Sequence, residues 1–195
     1  MAKINIIGEL TMKQKFKKIA GITGIVVGVI GVGSFTFYKV LENSHEYEKK
    51  EAALAGGMPE HQYDKIKEDK EESEKQTAKV GGVASGTGLT NDSGEYEVIS
   101  VMHKMTHQKV ASDDKWGAVP MTSANIDKVI NVVETNDFEY EDNILNILDK
   151  WKRGDFDAIV QDHNYFWGLQ NGTIGKAYGI MSEKEEAKFI ENNFK

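Results

Sequence analysis

The chain contains no cysteine. That absence excludes disulfides, thiolate metal sites, a cysteine nucleophile and a lipid anchor on cysteine. It does not fix the compartment, since many exported proteins avoid the residue. The body of the chain also lacks a positive balance of charge. Net charge is -7 over 195 residues, and residues 1–40 carry six lysines against Glu9, so the remaining 155 carry -12. A basic head on an acidic body argues against nucleic acid as the main partner. Familiar catalytic patterns are missing as well. The Gly175-Lys176 pair has Gln170 where a phosphate loop needs its first glycine and Ala177 where it needs serine or threonine. His103 and His107 have Lys104 in place of the glutamate of a zinc-protease helix. No serine-histidine-acid order or carboxylate pair stands out.

What is present begins with a charge-free run of 20 residues, Ile19 to Tyr38, behind a cluster at Lys13, Lys15, Lys17 and Lys18. At about 1.5 Å per residue a helix of this length spans roughly 30 Å, the hydrocarbon thickness of a bilayer. Phe35, Phe37 and Tyr38 sit where aromatic rings favour the interface. The pattern predicts a cytoplasmic N-terminus at 1–18, a single-pass anchor at 19–40 and an extracytoplasmic body. A cleavable signal peptide is the rival, but its apolar run is usually shorter, about 7–15 residues. Ala20, Gly24 and Gly28 form a small-residue ridge on that helix, through which two copies could associate.

Residues 41–80 hold 11 acidic and 7 basic side chains with no sustained apolar stripe. Such a segment reads as a charged, partly helical stalk. Gly56-Gly57 and Pro59 interrupt it. Residues 81–88, GGVASGTG, read as a flexible linker by composition, so the stalk and linker extend over 41–94.

From Glu95 the composition changes, and all three tryptophans lie beyond that point. Helical spacing predominates. Val98, Val101, Met102 and Met105 mark a first helix, although Tyr96 to Val101 also has a strand reading. Thr122 or Ser123 caps a second, with Ile126, Val129, Ile130 and Val133 on one face. Glu141 or Asp142 opens a third that carries Ile144, Leu148 and Trp151 and ends at Gly154. Asp155 caps a fourth with Ile159, His163, Phe166 and Trp167 facing the core, and Asn171-Gly172 stops it. Ser182-x-x-Glu185 is a capping box for a fifth. The fold class expected is all-α: a transmembrane helix, a stalk, and a bundle of about five helices over 95–195.

His103 and His107 are four apart, a spacing that can chelate one ion from one helix face. Asp113, Asp114, Asp162 or His163 would have to complete such a site. Asp162 and His163 point about 100° apart on a helix, so they do not face each other. His163 lies on the apolar side, where a lone histidine is more often a hydrogen-bonded core residue.

The segments MHKMTHQKV at 102–110, Lys115-Trp116-Gly117, Met121-Thr122 with Asn125-Ile126, Trp151-x-x-Gly154-Asp155-Phe156, Asp162-His163-Asn164 and LQNGTIGKA at 169–177 carry a resemblance. The chain resembles uncharacterised single-pass membrane proteins of Bacillus-type bacteria with a C-terminal domain of unknown function. The resemblance covers about residues 98–194 and implies a Gram-positive host and a membrane anchor. It brings no activity and no catalytic residues.

Taken together, these readings favour a non-catalytic, membrane-anchored module of the cell envelope that binds a protein, peptide or envelope component. No cofactor and no catalytic residue is assigned. His103, His107, Trp116, Asp162, His163, Asn164 and Gln170 are the candidate ligand-binding residues, and His103 and His107 the candidate metal ligands. The alternative is an enzyme or metal-binding domain built on His103, His107 and His163. The two readings separate on one point: convergence of the three imidazoles in one pocket favours the alternative, and a buried His163 with the other two solvated favours the first.

Overall fold

The computed structural model describes residues 33–195, with side chains from Ser44 onward. The anchor expected at 19–40 lies mostly outside the described residues, and so does the ridge Ala20, Gly24 and Gly28. No helix among the described residues is long and apolar enough to cross a membrane.

The chain divides into two compact units, up to Ile66 and from Lys67. In the first, α1 (Gly33–Ala55) turns at Gly56-Gly57 into α2 (Glu60–Thr77), whose residues from Lys67 onward belong to the second. The two run antiparallel, tied by Lys50 to Glu60 at 2.8 Å and Asp64 at 3.1 Å. The Tyr63 hydroxyl donates to the Glu46 carbonyl at 3.3 Å. The stalk is therefore helical on both sides of its glycine break.

The second unit contains α3 (Glu95–Thr106), β1 (Val110–Ser112), α4 (Ser123–Glu134), α5 (Glu141–Lys152), α6 (Ile159–Leu169), β2 (Ala177–Ile180) and α7 (Glu183–Phe194). All five expected helices are present, and Tyr96 to Val101 is helix, not strand. Their ends follow the signals in the sequence. Thr122 Oγ1 accepts from Asn125 N at 3.2 Å. Ser182 and Glu185 close a reciprocal capping box. At Gly154 the Asp155 N–H reaches back to the Lys150 carbonyl at 3.0 Å, the long bond of a Schellman stop. One start is misplaced. Asp155 takes the Asp157 N–H at 3.3 Å and holds a turn, and the helix itself begins at Ile159.

The core gathers the buried faces of α3, α4, α5 and α6: Val98, Met102, Met105, Val129, Val133, Ile144, Leu148, Trp151, Ile159 and Phe166. Two strands correct the all-α expectation. β1 and β2 pair antiparallel with an irregularity between Ala111 and Ser112. At three and four residues they are too short to show an alternating pattern. Trp167 also departs from expectation. It lies outside the core, half-buried, with Nε1 donating to the Ile174 carbonyl at 2.8 Å and its ring against Gly172. The core step along α6 runs 159, 162–163, 166, and Trp167 falls one position past it.

The glycine-rich run read above as a flexible linker is in part held. Gly81 O accepts from Gly117 N at 2.8 Å, and Ala84 N donates to Ala118 O at 2.9 Å. A Cβ at Gly81 would come within 2.4 Å of the Trp116 ring, so only glycine permits this approach. Val80 and Val83 pack on a second apolar cluster of Ala118, Met181 and Phe189, and Leu89 enters the main core. Just before this strap, the Gln76 side chain pairs with both backbone groups of Ser112, at 2.8 and 3.0 Å, as a neighbouring strand would.

A candidate three-histidine metal centre

His103 on the last turn of α3 and His107 at its C-cap face one way, and His163 faces them from α6, because α3 packs against α6 in the main core. One ring nitrogen from each of the three lies within 4.8 Å of the others. The closest pair is His103 Nε2 and His163 Nε2 at 3.3 Å. His163 and His107 are buried, and His103 is half-buried. Burial is the main reason that all three imidazoles resist protonation. It pulls His103 and His163 down to about 4 and His107 well below its usual value. At neutral pH the cluster is three uncharged bases.

Each ring is oriented by its other nitrogen. His107 Nδ1–H donates to the Gly117 carbonyl at 2.6 Å, which leaves Nε2 as a bare lone pair. Thr106 Oγ1 lies 2.6 Å from the His103 carbonyl. The single hydroxyl proton goes either there or to His163 Nδ1, 2.7 Å away. With the proton turned to the His103 carbonyl, His163 Nδ1–H donates to Thr106 Oγ1 and Nε2 is a bare lone pair, the form that a metal ion requires. With Thr106 donating to Nδ1 instead, His163 Nε2–H donates to the Gly175 carbonyl at 3.0 Å. In the first of these forms His103 Nε2–H donates to His163 Nε2 at 3.3 Å, its own Nδ1 accepting from Gln170 Nε2 at 3.0 Å.

The loops that supply these carbonyls are fixed by close approach. A Cβ on Gly175, at φ +85°, would meet the Asp114 carbonyl at 2.7 Å. The loop after α6 thus lies directly on the loop after β1. Between them opens a cleft of about 300 Å³, walled by Lys104, Asp114, Trp116, Gln170 and Ile174 around His103 and His107.

Of the seven candidate ligand-binding residues, five meet here: His103, His107, His163, Gln170 and Trp116. The other two serve the fold. Asp162 is buried, accepting from Lys150 Nζ at 2.8 Å and Trp151 Nε1 at 2.9 Å. Asn164 pairs with both backbone groups of Ala177, at 3.0 and 2.9 Å, and so docks β2 on α6. The His163 expectation is half right: the residue is buried, but it is shared with the cluster. Sequence reasoning missed Thr106, Gly117 and Gly175. The glycines act through carbonyls, which no residue type advertises.

Residues 102–191 match the model of a family of unknown function, DUF6241. The matched span holds all three histidines and the residues that orient them. It supports an uncharacterised C-terminal domain, as the resemblance implied. No curated protein and no solved structure matches the chain.

Proposed function

We propose that residues 67–195 form a metal-binding domain that holds one divalent transition ion, zinc above all, on His103, His107 and His163. The observation that carries this reading is the 3.3 Å separation of His103 Nε2 and His163 Nε2. Two nitrogens bound to one tetrahedral zinc at about 2.0–2.1 Å stand roughly 3.3–3.4 Å apart. The His107 ligand atom lies within 4.8 Å of the other two and must close in to join them, and its Nδ1 bond to Gly117 already presets the tautomer that zinc requires. An all-imidazole set suits zinc, copper, nickel or iron and disfavours magnesium and calcium.

Metal binding sets the His163 proton on Nδ1 and asks changes at both His103 and Gln170, whose Nε2 also donates to the Phe166 carbonyl at 3.1 Å. His103 must carry its proton on Nδ1 so that Nε2 can bind, and Gln170 must turn its amide to accept that proton through Oε1. Gln170 is therefore a positioning residue.

The charge-free run Ile19–Tyr38 behind four lysines supports a tethered, extracytoplasmic placement of this domain. There a metal site and a binding role for an envelope component are compatible. Equilibrium dialysis of the full chain against zinc tests the reading: one ion per chain, and none for the double variant His103→Ala, His163→Leu. Equal retention by both chains would defeat it.

A further inference from the structure

If the three histidines hold an ion, that site is incomplete, and its missing part has a recognisable chemistry. The ligand cluster contains no carboxylate. Three neutral imidazoles leave a divalent ion its full charge and at least one open position, as in catalytic rather than structural zinc sites. An ion so placed draws an anion from solution. The cleft adds to that pull. Lys104 lines it without an ion-pair partner among the described residues, and Asp114, the acid on the wall, lies outside the ligand cluster. Besides Lys104, two large apolar side chains stand exposed at the cleft: Trp116 is 72% exposed and Ile174 71% exposed. One side of the Trp116 ring rests on the backbone of Gly81 and Gly82, which fixes its plane. The rest of the ring is open. A rigid indole with bare surface beside a charged centre is a platform for a ring or an aliphatic body.

Resting on the metal reading above, we infer that the site binds an organic carboxylate. The carboxylate oxygen takes the open position on the ion with Lys104 beside it, and an apolar or ring-bearing body lies over Trp116 and Ile174. Inorganic phosphate satisfies the charge but not the apolar wall.

Cobalt(II) replaces zinc in such sites and reports its ligands through visible absorption. The full chain would be loaded with cobalt and titrated with acetate, phenylacetate and inorganic phosphate. The inference expects a saturable spectral change with both carboxylates and a dissociation constant about tenfold lower for phenylacetate, from burial of its ring. Trp116→Ala should erase that preference while cobalt uptake stays intact, and Lys104→Gln should weaken both carboxylates. Failure to take up cobalt would overturn the metal reading itself. Cobalt uptake with no response to any anion would overturn the ligand inference alone. So would equal affinity for acetate and phenylacetate, or a preference for phosphate that Trp116→Ala leaves unchanged.

Discussion

Replacing His163 with leucine separates a metal ligand from a core histidine. The side chain is fully buried and makes three polar contacts, with Thr106 Oγ1 at 2.7 Å, Gly175 O at 3.0 Å and His103 Nε2 at 3.3 Å. Leucine is close in volume, so no large cavity opens. Without metal, the cost is the lost bonding of the ring nitrogens, about 1–3 kcal/mol with a partner left unpaired. With metal, the difference widens. A ligand that binds the folded chain at a hundred times its dissociation constant adds about 2.7 kcal/mol. For a unit of this size that is roughly 8–15 °C in melting temperature. The wild type should therefore gain such a shift on adding zinc, and His163→Leu should gain almost none. Melts followed by circular dichroism, each with zinc and with a chelator, provide the four numbers. An equal zinc-induced shift in both proteins would refute the reasoning, because the stabilising ion would then sit elsewhere.

Acid should destabilise the metal-free chain. His103 and His163 are held by burial to about 4 when folded but return to about 6.5 when unfolded, so the unfolded chain binds more protons in between. Their contribution is complete above pH 6.5 and fades as pH falls toward 4, by at most about 3 kcal/mol each; urea midpoints at pH 7.5 and 5 check the sign, and greater stability at pH 5 would contradict it. Removing the strap should hurt. A fragment starting at Glu95 loses Val80, Val83 and Leu89 from two apolar clusters and Gln76 from β1, so it should melt well below one starting at Lys67, and equal midpoints would show that 76–94 adds nothing. Gln170→Glu should tighten zinc binding, and Gln170→Ala should weaken it by about 10–100-fold, because a carboxylate is the better acceptor for His103 Nδ1–H. Isothermal titration measures both, and identical affinities would remove Gln170 from the site.

The five helices of the C-terminal unit were legible because their signals are local. Thr122, Ser182 and Gly154 each act on backbone within a turn, and the apolar steps through Val98, Val129, Leu148 and Phe166 repeat at helical spacing. The strands were not legible, since three and four residues cannot display a period. The glycine run misled for a related reason. Composition reports freedom of the isolated chain, whereas Gly81 is used for close approach to Trp116, a residue 35 positions away. Trp167 was assigned to the core on a continuing stripe, but the helix ends within the next turn and the ring turns to staple the loop. At the site, the His103–His107 spacing was readable as chelation. The partnership with His163 depends on how α3 meets α6, which no single-sequence pattern encodes, and the carbonyls of Gly117 and Gly175 come from loops whose path is set by tertiary contact.

X-ray absorption at the zinc edge of the loaded full chain tests the central claim most directly. The account predicts one zinc per chain with three imidazole nitrogens at about 2.0–2.1 Å and the remaining coordination filled by oxygen. A shell with fewer than two imidazoles, or one built from carboxylate oxygens alone, would contradict it.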